Sequence, residues 1–251
     1  MFEKTFLIIP AFNEAKTIQK VVEGALQTVS NIIVIDDGST DETVTILKKF
    51  PVEIIQQPQN RGKSFCLWTG FELALSLGAT EIVTMDADGQ HDPDDLSPMI
   101  LASHKEPHAL IIGNRLWNRS AFPLNRYCSN QFGNFWIGWT SGQALADSQS
   151  GFRVYPASLI QQLTFKTRWE KGFVLESEIL IDASDLGFKA LFVPIKTYYP
   201  KDRRPSYFRP LLDLYWIIRM VANRLWHRGL NPRGLVKSVF KKPLHAFKPQ
   251  H

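Results

Sequence analysis

Asp86-Ala87-Asp88-Gly89-Gln90-His91 sets two carboxylates two residues apart, directly after the apolar run Glu81–Met85. Carboxylates so spaced beyond a buried strand can face one hard cation. Mg2+ or Mn2+ takes a few carboxylates and fills its shell with phosphate oxygens and water. Gln90 would add a neutral oxygen. The competing reading is an acidic turn, because Asp and Gly are common after strands. Asp92, Asp94 and Asp95 follow at once, and that much negative charge in one loop favours a cation.

Other segments carry chemistry of the same kind. In Asp36-Asp37-Gly38-Ser39-Thr40-Asp41, Asp37 could accept hydrogen bonds from a base or a ribose, while Ser39 and Thr40 suit a helix cap. Asn60-Arg61-Gly62-Lys63-Ser64 imitates the end of a phosphate-binding loop, but Gln57 stands where the first glycine is needed and Pro58 lacks a donor. Lys63 at a helix start could still meet a diphosphate. Arg115, Arg119, Arg126 and Arg153, with Arg203, Arg204 and Arg209 later, have the fork geometry that suits phosphate, with surface solubility as the alternative for each. Cys66 and Cys128 lie outside any CxxC pair; they read as small buried residues of a reducing compartment.

These motifs need a scaffold that brings them together. The runs 5–9, 31–35, 52–56 and 81–85 are short and almost continuously apolar. Between them, Ile18, Val21, Val22, Ala25, Leu26 and Val29 recur at helical spacing, and further helices are expected from Glu42 to about Phe50 and over 64–77. The first 90 residues thus read βαβαβαβ, the pattern of a parallel sheet with helices on both faces. Ligands of such sheets bind outside the carboxyl ends of the strands, where Pro10–Glu14, Asp36–Ser39, Gln57–Lys63 and Asp86–Asp88 fall. Beyond them, helices are expected over 94–104, 126–140, 170–187 and 211–226, and strands over 108–112 and 189–193.

At 251 residues, with 44% apolar and 21% charged, the chain can bury a full core without disulfides or zinc, which excludes general disorder. The N-terminal apolar run is too short for a signal sequence. No stretch reaches the roughly 20 apolar residues of a spanning helix. Charge is uneven: residues 201–251 hold twelve Lys/Arg and two Asp/Glu, whereas the first 200 hold seventeen and twenty-two. An acidic body with a basic tail implies an anionic partner. Within 207–228, Tyr215, Trp216 and Trp226 are flanked by Arg209, Arg219, Arg224 and Arg228, a composition that could lie in a membrane surface or pack on the sheet. Nucleic acid is disfavoured, because no nucleic-acid-binding motif is present.

Taken in order, Pro10-Ala11-Phe12-Asn13-Glu14, Asp36–Asp41, Asn60–Lys63, Asp86–His91, Gly113-Asn114-Arg115 and Ser150-Gly151-Phe152-Arg153 resemble glycosyltransferase family 2, and within it the dolichyl- or polyprenyl-phosphate sugar synthases. Ala11-Phe12 departs from a frequent Thr-Tyr, keeping a ring and losing a hydroxyl; Ser64 replaces a frequent glycine. The resemblance implies a GT-A fold, a mostly parallel central sheet with helices on both faces. It implies a nucleotide-diphospho-sugar donor, GDP-mannose or a UDP-hexose, and inversion at the anomeric carbon. By analogy, Pro10, Phe12, Glu14 and Asp37 would hold the nucleotide, with Lys63 and Asp86 beside its phosphates. Asp86, Asp88 and Gln90 would hold Mg2+ or Mn2+. Arg115, Arg126 and Arg153 would face an acceptor phosphate.

The expected organisation is a catalytic domain over 1–205, an amphipathic helix over 206–230 and a flexible basic tail over 231–251. The expected partners are the donor, a polyprenyl or dolichyl phosphate and an anionic membrane surface. The expected place is the cytoplasmic face of a membrane, with peripheral attachment. A phosphate acceptor is already an anion. A saccharide hydroxyl would need a general base, and Asp147 is the best carboxylate for that post. A sugar-1-phosphate nucleotidyltransferase would need a glycine-rich basic loop after the first strand, and Pro10–Glu14 is not one. A non-catalytic membrane module of the same fold would not need the Asp86/Asp88 pair.

Overall fold

The computed structural model describes residues 2–118, 124–163, 174–198 and 210–247; the side chains of residues 125, 126 and 210–214 fall outside that description. The first half alternates as the sequence predicts: β1 (Thr5–Ala11), α1 (Ile18–Leu26), β2 (Asn31–Asp36), α2 (Thr43–Leu47), β3 (Glu53–Gln56), α3 (Lys63–Ser76) and β4 (Glu81–Thr84). These strands pair in parallel in the order β3-β2-β1-β4. Successive side chains leave a strand on opposite faces. Phe6, Ile8, Ile33 and Ile35 therefore enter one core layer, and Leu7, Ile9, Ile32 and Val34 the other. A sheet covered on both faces explains why the runs are continuous rather than alternating.

The second half is α4 (Leu96–Lys105), β5 (Ala109–Asn114), α5 (Leu124–Ser141), β6 (Arg153–Pro156), α6 (Ala157–Gln162), α7 (Leu175–Asp185), β7 (Lys189–Pro194), α8 (Pro210–His227), α9 (Pro232–Phe240) and β8 (Leu244–His245). It completes an eight-stranded sheet, β3-β2-β1-β4-β6-β5-β7-β8. Among the described strands only β6 is antiparallel, seated between β4 and β5.

Two elements are additions to the expected pattern, and two local expectations are corrected. β6 and α6 were not foreseen: four residues ending in a proline give a weak strand signal, and β6 is defined by its two neighbours. Ser39 and Thr40 do not cap α2. Ser39 Oγ instead accepts from the Asn13 amide, and the Thr40 amide donates to Asn13 Oδ1. Asp41 Oδ1 receives the Thr43 amide at the helix start. Finally, the stretch after Arg228, expected to be flexible, carries α9 and β8. Asn231 starts α9 in the left-handed region at φ 41°, accepts from the Gly234 amide and donates to the Trp139 carbonyl. β8 then pairs in parallel with β7 through Leu191–Leu244 and Phe192–His245.

Candidate active site

The carboxyl ends of β1, β2 and β4 lie side by side, and their loops are stitched together. The loop after β1 joins the loop after β2 through Asn13 and through the Glu14 amide, which donates to Thr43 Oγ1 at 2.8 Å. Glu14 is itself buried, with Thr17 Oγ1 3.2 Å from its Oε2. The Asp37 carboxylate accepts from the Arg61 amide at 2.7 Å and the Gly62 amide at 2.8 Å. It therefore holds the loop that delivers Lys63 to the start of α3. That loop needs Gly62, whose φ of 91° other residues rarely adopt.

Lys63 Nζ lies 2.6 Å from Asp86 Oδ1 and 3.2 Å from Glu176 Oε1. Burial opposes the ammonium charge, but Asp86 and Glu176 outweigh it and hold the lysine above its ordinary pKa. Asp86 is held well below the usual carboxylate range: burial works against ionisation, and the Lys63 charge with His91 beyond it overcomes this. His91 Nε2 is 3.7 Å from Asp86 Oδ2. Asp88 Oδ1 accepts from the Gln90 amide at 3.0 Å, and its other oxygen meets the Gln90 side-chain nitrogen. With that nitrogen on Asp88, the Gln90 side-chain oxygen Oε1 is the atom left to face a ligand.

Gly151 closes this cluster from above. A Cβ there would sit 2.7 Å from Asp86 Oδ2 and 2.8 Å from Lys63 Nζ. The spacing within Ser150–Arg153 thus has a physical meaning: the backbone must pass against the charged pair. The donor set of Asp86, Asp88 and Gln90 is all oxygen and suits a hard cation. Among the described residues no three His, Cys, Asp or Glu side chains gather as a metal cage. An ion here would complete its shell with oxygens from a ligand and from water.

Arg115 and Asp147 form a second unit. Arg115 Nε donates to Asp147 Oδ2 at 2.8 Å, Nη2 to Oδ1 at 2.9 Å, and the Arg115 amide to Oδ2 at 3.0 Å. Asp147 is fully buried. The carboxylate considered as a base for a hydroxyl acceptor is therefore enclosed and forked onto an arginine, so it orients Arg115.

Arg153 departs from its expected role at an acceptor phosphate. It is fully buried and spends its guanidinium on the carbonyls of Ser150 (2.8 Å), Glu176 (2.6 Å) and Ser148 (2.7 Å). It joins the Asp147 loop to α7 and so fixes Glu176 beside Lys63. Glu176 was not singled out from the sequence, since an acidic residue in the first turn of a helix is ordinary for dipole reasons. Asn134 on α5 was missed too; it bridges the Ala146 carbonyl and the Ser148 amide. Pro10 and Phe12 stand at the end of β1, partly exposed. Arg126 lies on α5 with its side chain outside the described residues, and Arg119, Arg203, Arg204 and Arg209 lie outside them altogether. Cys66 is buried and Cys128 exposed. Burial pushes the Cys66 thiol up, and Asp37 beside it adds to this, which disfavours the thiolate that a nucleophile needs.

The profile of Glycosyl transferase family 2 matches residues 6–167. The UDP-N-acetylglucosamine–dolichyl-phosphate N-acetylglucosaminyltransferase of Methanococcus voltae is 35% identical over 215 residues, 77% of this chain and 85% of that protein. The polyprenol monophosphomannose synthase of Mycolicibacterium smegmatis is 26% identical over 204 residues, 77% of each chain. Among solved structures, glucosyl-3-phosphoglycerate synthase of Mycobacterium tuberculosis, in complex with Mn2+, UDP and phosphoglyceric acid, superposes with a TM-score of 0.60 at 21% identity, covering 90% of this chain and 78% of that one. The last likeness identifies the fold as GT-A. The ordered motifs, the crevice they build at the strand ends and the matched profile agree, and the chain is a glycosyltransferase that belongs to glycosyltransferase family 2.

Proposed function

We propose that this glycosyltransferase moves a sugar, with inversion, from a nucleotide-diphospho-sugar to a polyprenyl or dolichyl phosphate at a membrane surface. The observation that carries the acceptor is the state of the carboxylates. Five of the carboxylates at the crevice are engaged: Asp37 with backbone amides, Asp86 and Glu176 with Lys63, Asp88 with Gln90, and Asp147 with Arg115. A hydroxyl acceptor needs a base to take its proton, whereas a phosphate monoester attacks as an anion without one. The names of the Methanococcus and Mycolicibacterium relatives, a dolichyl-phosphate transferase and a polyprenol monophosphomannose synthase, support the same acceptor class.

Each residue then has a part. Pro10, Phe12 and Glu14 border the nucleotide, and Asp37 keeps the Arg61–Gly62 loop in place beside it. Asp86, Asp88 and Gln90 would hold Mg2+ or Mn2+, and the solved relative with Mn2+ and UDP supports a cation of that kind. A bound divalent ion supplies positive charge to the departing diphosphate. Lys63 adds a second cation on the same side. Arg115, held by Asp147, and Arg126 meet the incoming phosphate. Its oxygen bonds to the anomeric carbon from the face opposite the leaving group. The bond to the diphosphate breaks, and its electron pair leaves with the nucleoside diphosphate. Catalysis is then positioning and charge stabilisation rather than proton transfer.

Residues 1–205 would form the catalytic unit, and 206–230 would touch the membrane from the cytoplasmic side. α8 packs Met220, Val221 and Leu225 on the core and leaves Tyr215, Ile218 and Trp226 exposed. None of the described helices is long and apolar enough to cross a membrane, so attachment would be peripheral.

The test is transfer of label from GDP-mannose, UDP-glucose and UDP-N-acetylglucosamine to a polyprenyl phosphate, with Mn2+ or with EDTA. Wild type is compared with Asp88→Ala. Labelled lipid that needs metal and is lost in the variant supports the reading. Donor binding without labelled lipid would sink the acceptor assignment and redirect the search to sugar hydroxyls.

A further inference from the structure

The amphipathic face of α9 points the wrong way for a core helix. A helix on a globular protein normally turns its apolar stripe inward. Here Gly234, Leu235 and Ser238 face the protein, while Val236 (57%), Val239 (52%) and Phe240 (81%) are exposed. The inward face is built for close approach. A Cβ on Gly234 would strike the Trp139 carbonyl oxygen at 2.4 Å, and one on Gly138 would lie 3.4 Å from Ser238 Cβ. The helix is thus held tightly against α5 by its small residues, which leaves its large apolar residues in water.

Charge accompanies that apolar stripe. Residues 224–247 contain six Lys/Arg and no Asp or Glu. Arg224 and Arg228 are paired with Asp182 and Asp185 at the end of α7. Arg233, Lys237, Lys241 and Lys242 make no ion pair among the described residues. Beside the helix lies an open hollow of about 590 Å³, lined by Lys189, Arg228, Arg233 and Lys237, with Asp185 as its acid. Lys189 begins β7, so this hollow sits at the edge of the sheet opposite the crevice.

We infer that α9 is a membrane-docking helix: Val236, Val239 and Phe240 enter the interface of an anionic bilayer, and lipid phosphates settle against Arg233, Lys237 and the adjoining hollow. Exposed apolar side chains flanked by cations are the composition of interfacial helices. Each cation near an anionic leaflet adds attraction. A second copy of the chain would bring the same positive face against itself, so charge favours lipid. α5 links this anchor to the crevice. Its Trp139 and Thr140 carbonyls receive Asn231, and its Gly133 lies against the Gln149 side chain, two residues from Gly151. The inference rests on the lipid-acceptor reading for its purpose, but not for its binding.

The experiment is co-sedimentation of the full chain with vesicles of phosphatidylcholine alone and of phosphatidylcholine mixed with phosphatidylglycerol. Wild type is compared with Val236→Asp/Phe240→Asp and with Lys237→Glu/Lys241→Glu. All four side chains are exposed, and thermal unfolding checks that each variant folds. The wild type should bind the anionic vesicles alone, and each double variant should bind about tenfold or more weakly. Each should still transfer sugar to a polyprenyl phosphate in detergent. Equal binding by variants and wild type, or no binding by wild type, overturns the inference. So does a wild-type dimer that Val236→Asp/Phe240→Asp dissociates with vesicle binding intact. Loss of transfer in detergent by wild type would count against the acceptor reading alone.

Discussion

Arg115 and Asp147 lie thirty-two residues apart and meet through three hydrogen bonds, two from the guanidinium and one from the Arg115 amide. Two side chains expected to do separate jobs are one rigid unit. A forked, enclosed carboxylate fixes the arginine in one rotamer, which suits a group that positions an anion.

Asp147→Asn should therefore impair positioning and leave proton chemistry alone. We expect kcat/KM for the acceptor to fall by about 10²-fold, with the shape of the pH–rate profile unchanged. Loss of an ascending limb near the carboxylate range would instead mark Asp147 as a base.

Gly151→Ala tests the passage of the backbone over the charged pair. The new methyl would sit 2.7 Å from Asp86 Oδ2 and 2.8 Å from Lys63 Nζ, and both atoms end side chains that can move. The fold should survive, with the unfolding midpoint nearly unchanged, while the affinity for Mn2+ and for the nucleotide sugar drops together. Calorimetric titration with each ligand, set against thermal unfolding, reads the two effects separately.

Arg153→Ala should behave in the opposite way. Three buried carbonyls would lose their donor at once. Each orphaned group costs about 1–3 kcal/mol, not additively, so the stability loss should be about 3 kcal/mol or more. Arg153→Lys should recover little, since one ammonium on a flexible stem cannot reproduce a fixed fork. Denaturant midpoints for the two variants decide this.

Asp95 carries a pH dependence. Burial pushes its carboxyl up to about 6; the Lys196 amide, which donates at 2.7 Å, opposes this, and the charge of Asp92 adds to it. The unfolded chain releases this proton near pH 3.9. Between about pH 4 and 6 the folded state thus binds more protons than the unfolded one, and stability from this group falls as pH rises through that window. Asp95→Asn keeps an acceptor for Lys196 and has no proton to lose. Its stability relative to wild type should rise from pH 4 to 6 and then level off, as read from denaturant midpoints across that range.

Much of the scaffold was legible in the residues alone, because the first four strands are buried on both faces and separated by helices of regular period. Pro10–Glu14, Asp36–Asp41 and Asp86–His91 had to converge once those strands were parallel, since parallel strands all end at one edge. Gly151 stood out within its motif, but its closeness to Asp86 and Lys63 was not legible, and neither were Glu176 and α9. Glu176 matters through Lys63, more than a hundred residues earlier, and Gly151 through the two side chains it must clear. No local pattern encodes either relation. The tail looked flexible because its anchors, Asn231 on Trp139 and β8 on β7, are contacts with distant chain.

Motif order carried the resemblance to the family, and apolar period was enough to locate the edge of the sheet where chemistry gathers, because that edge follows from local pattern and strand direction. Which arginine is available and which carboxylate is spent was decided only in three dimensions. Arg115 and Arg153 are the same residue type. Burial and partner geometry make one the fork at Asp147, beside the crevice, and the other a buried brace for three carbonyls.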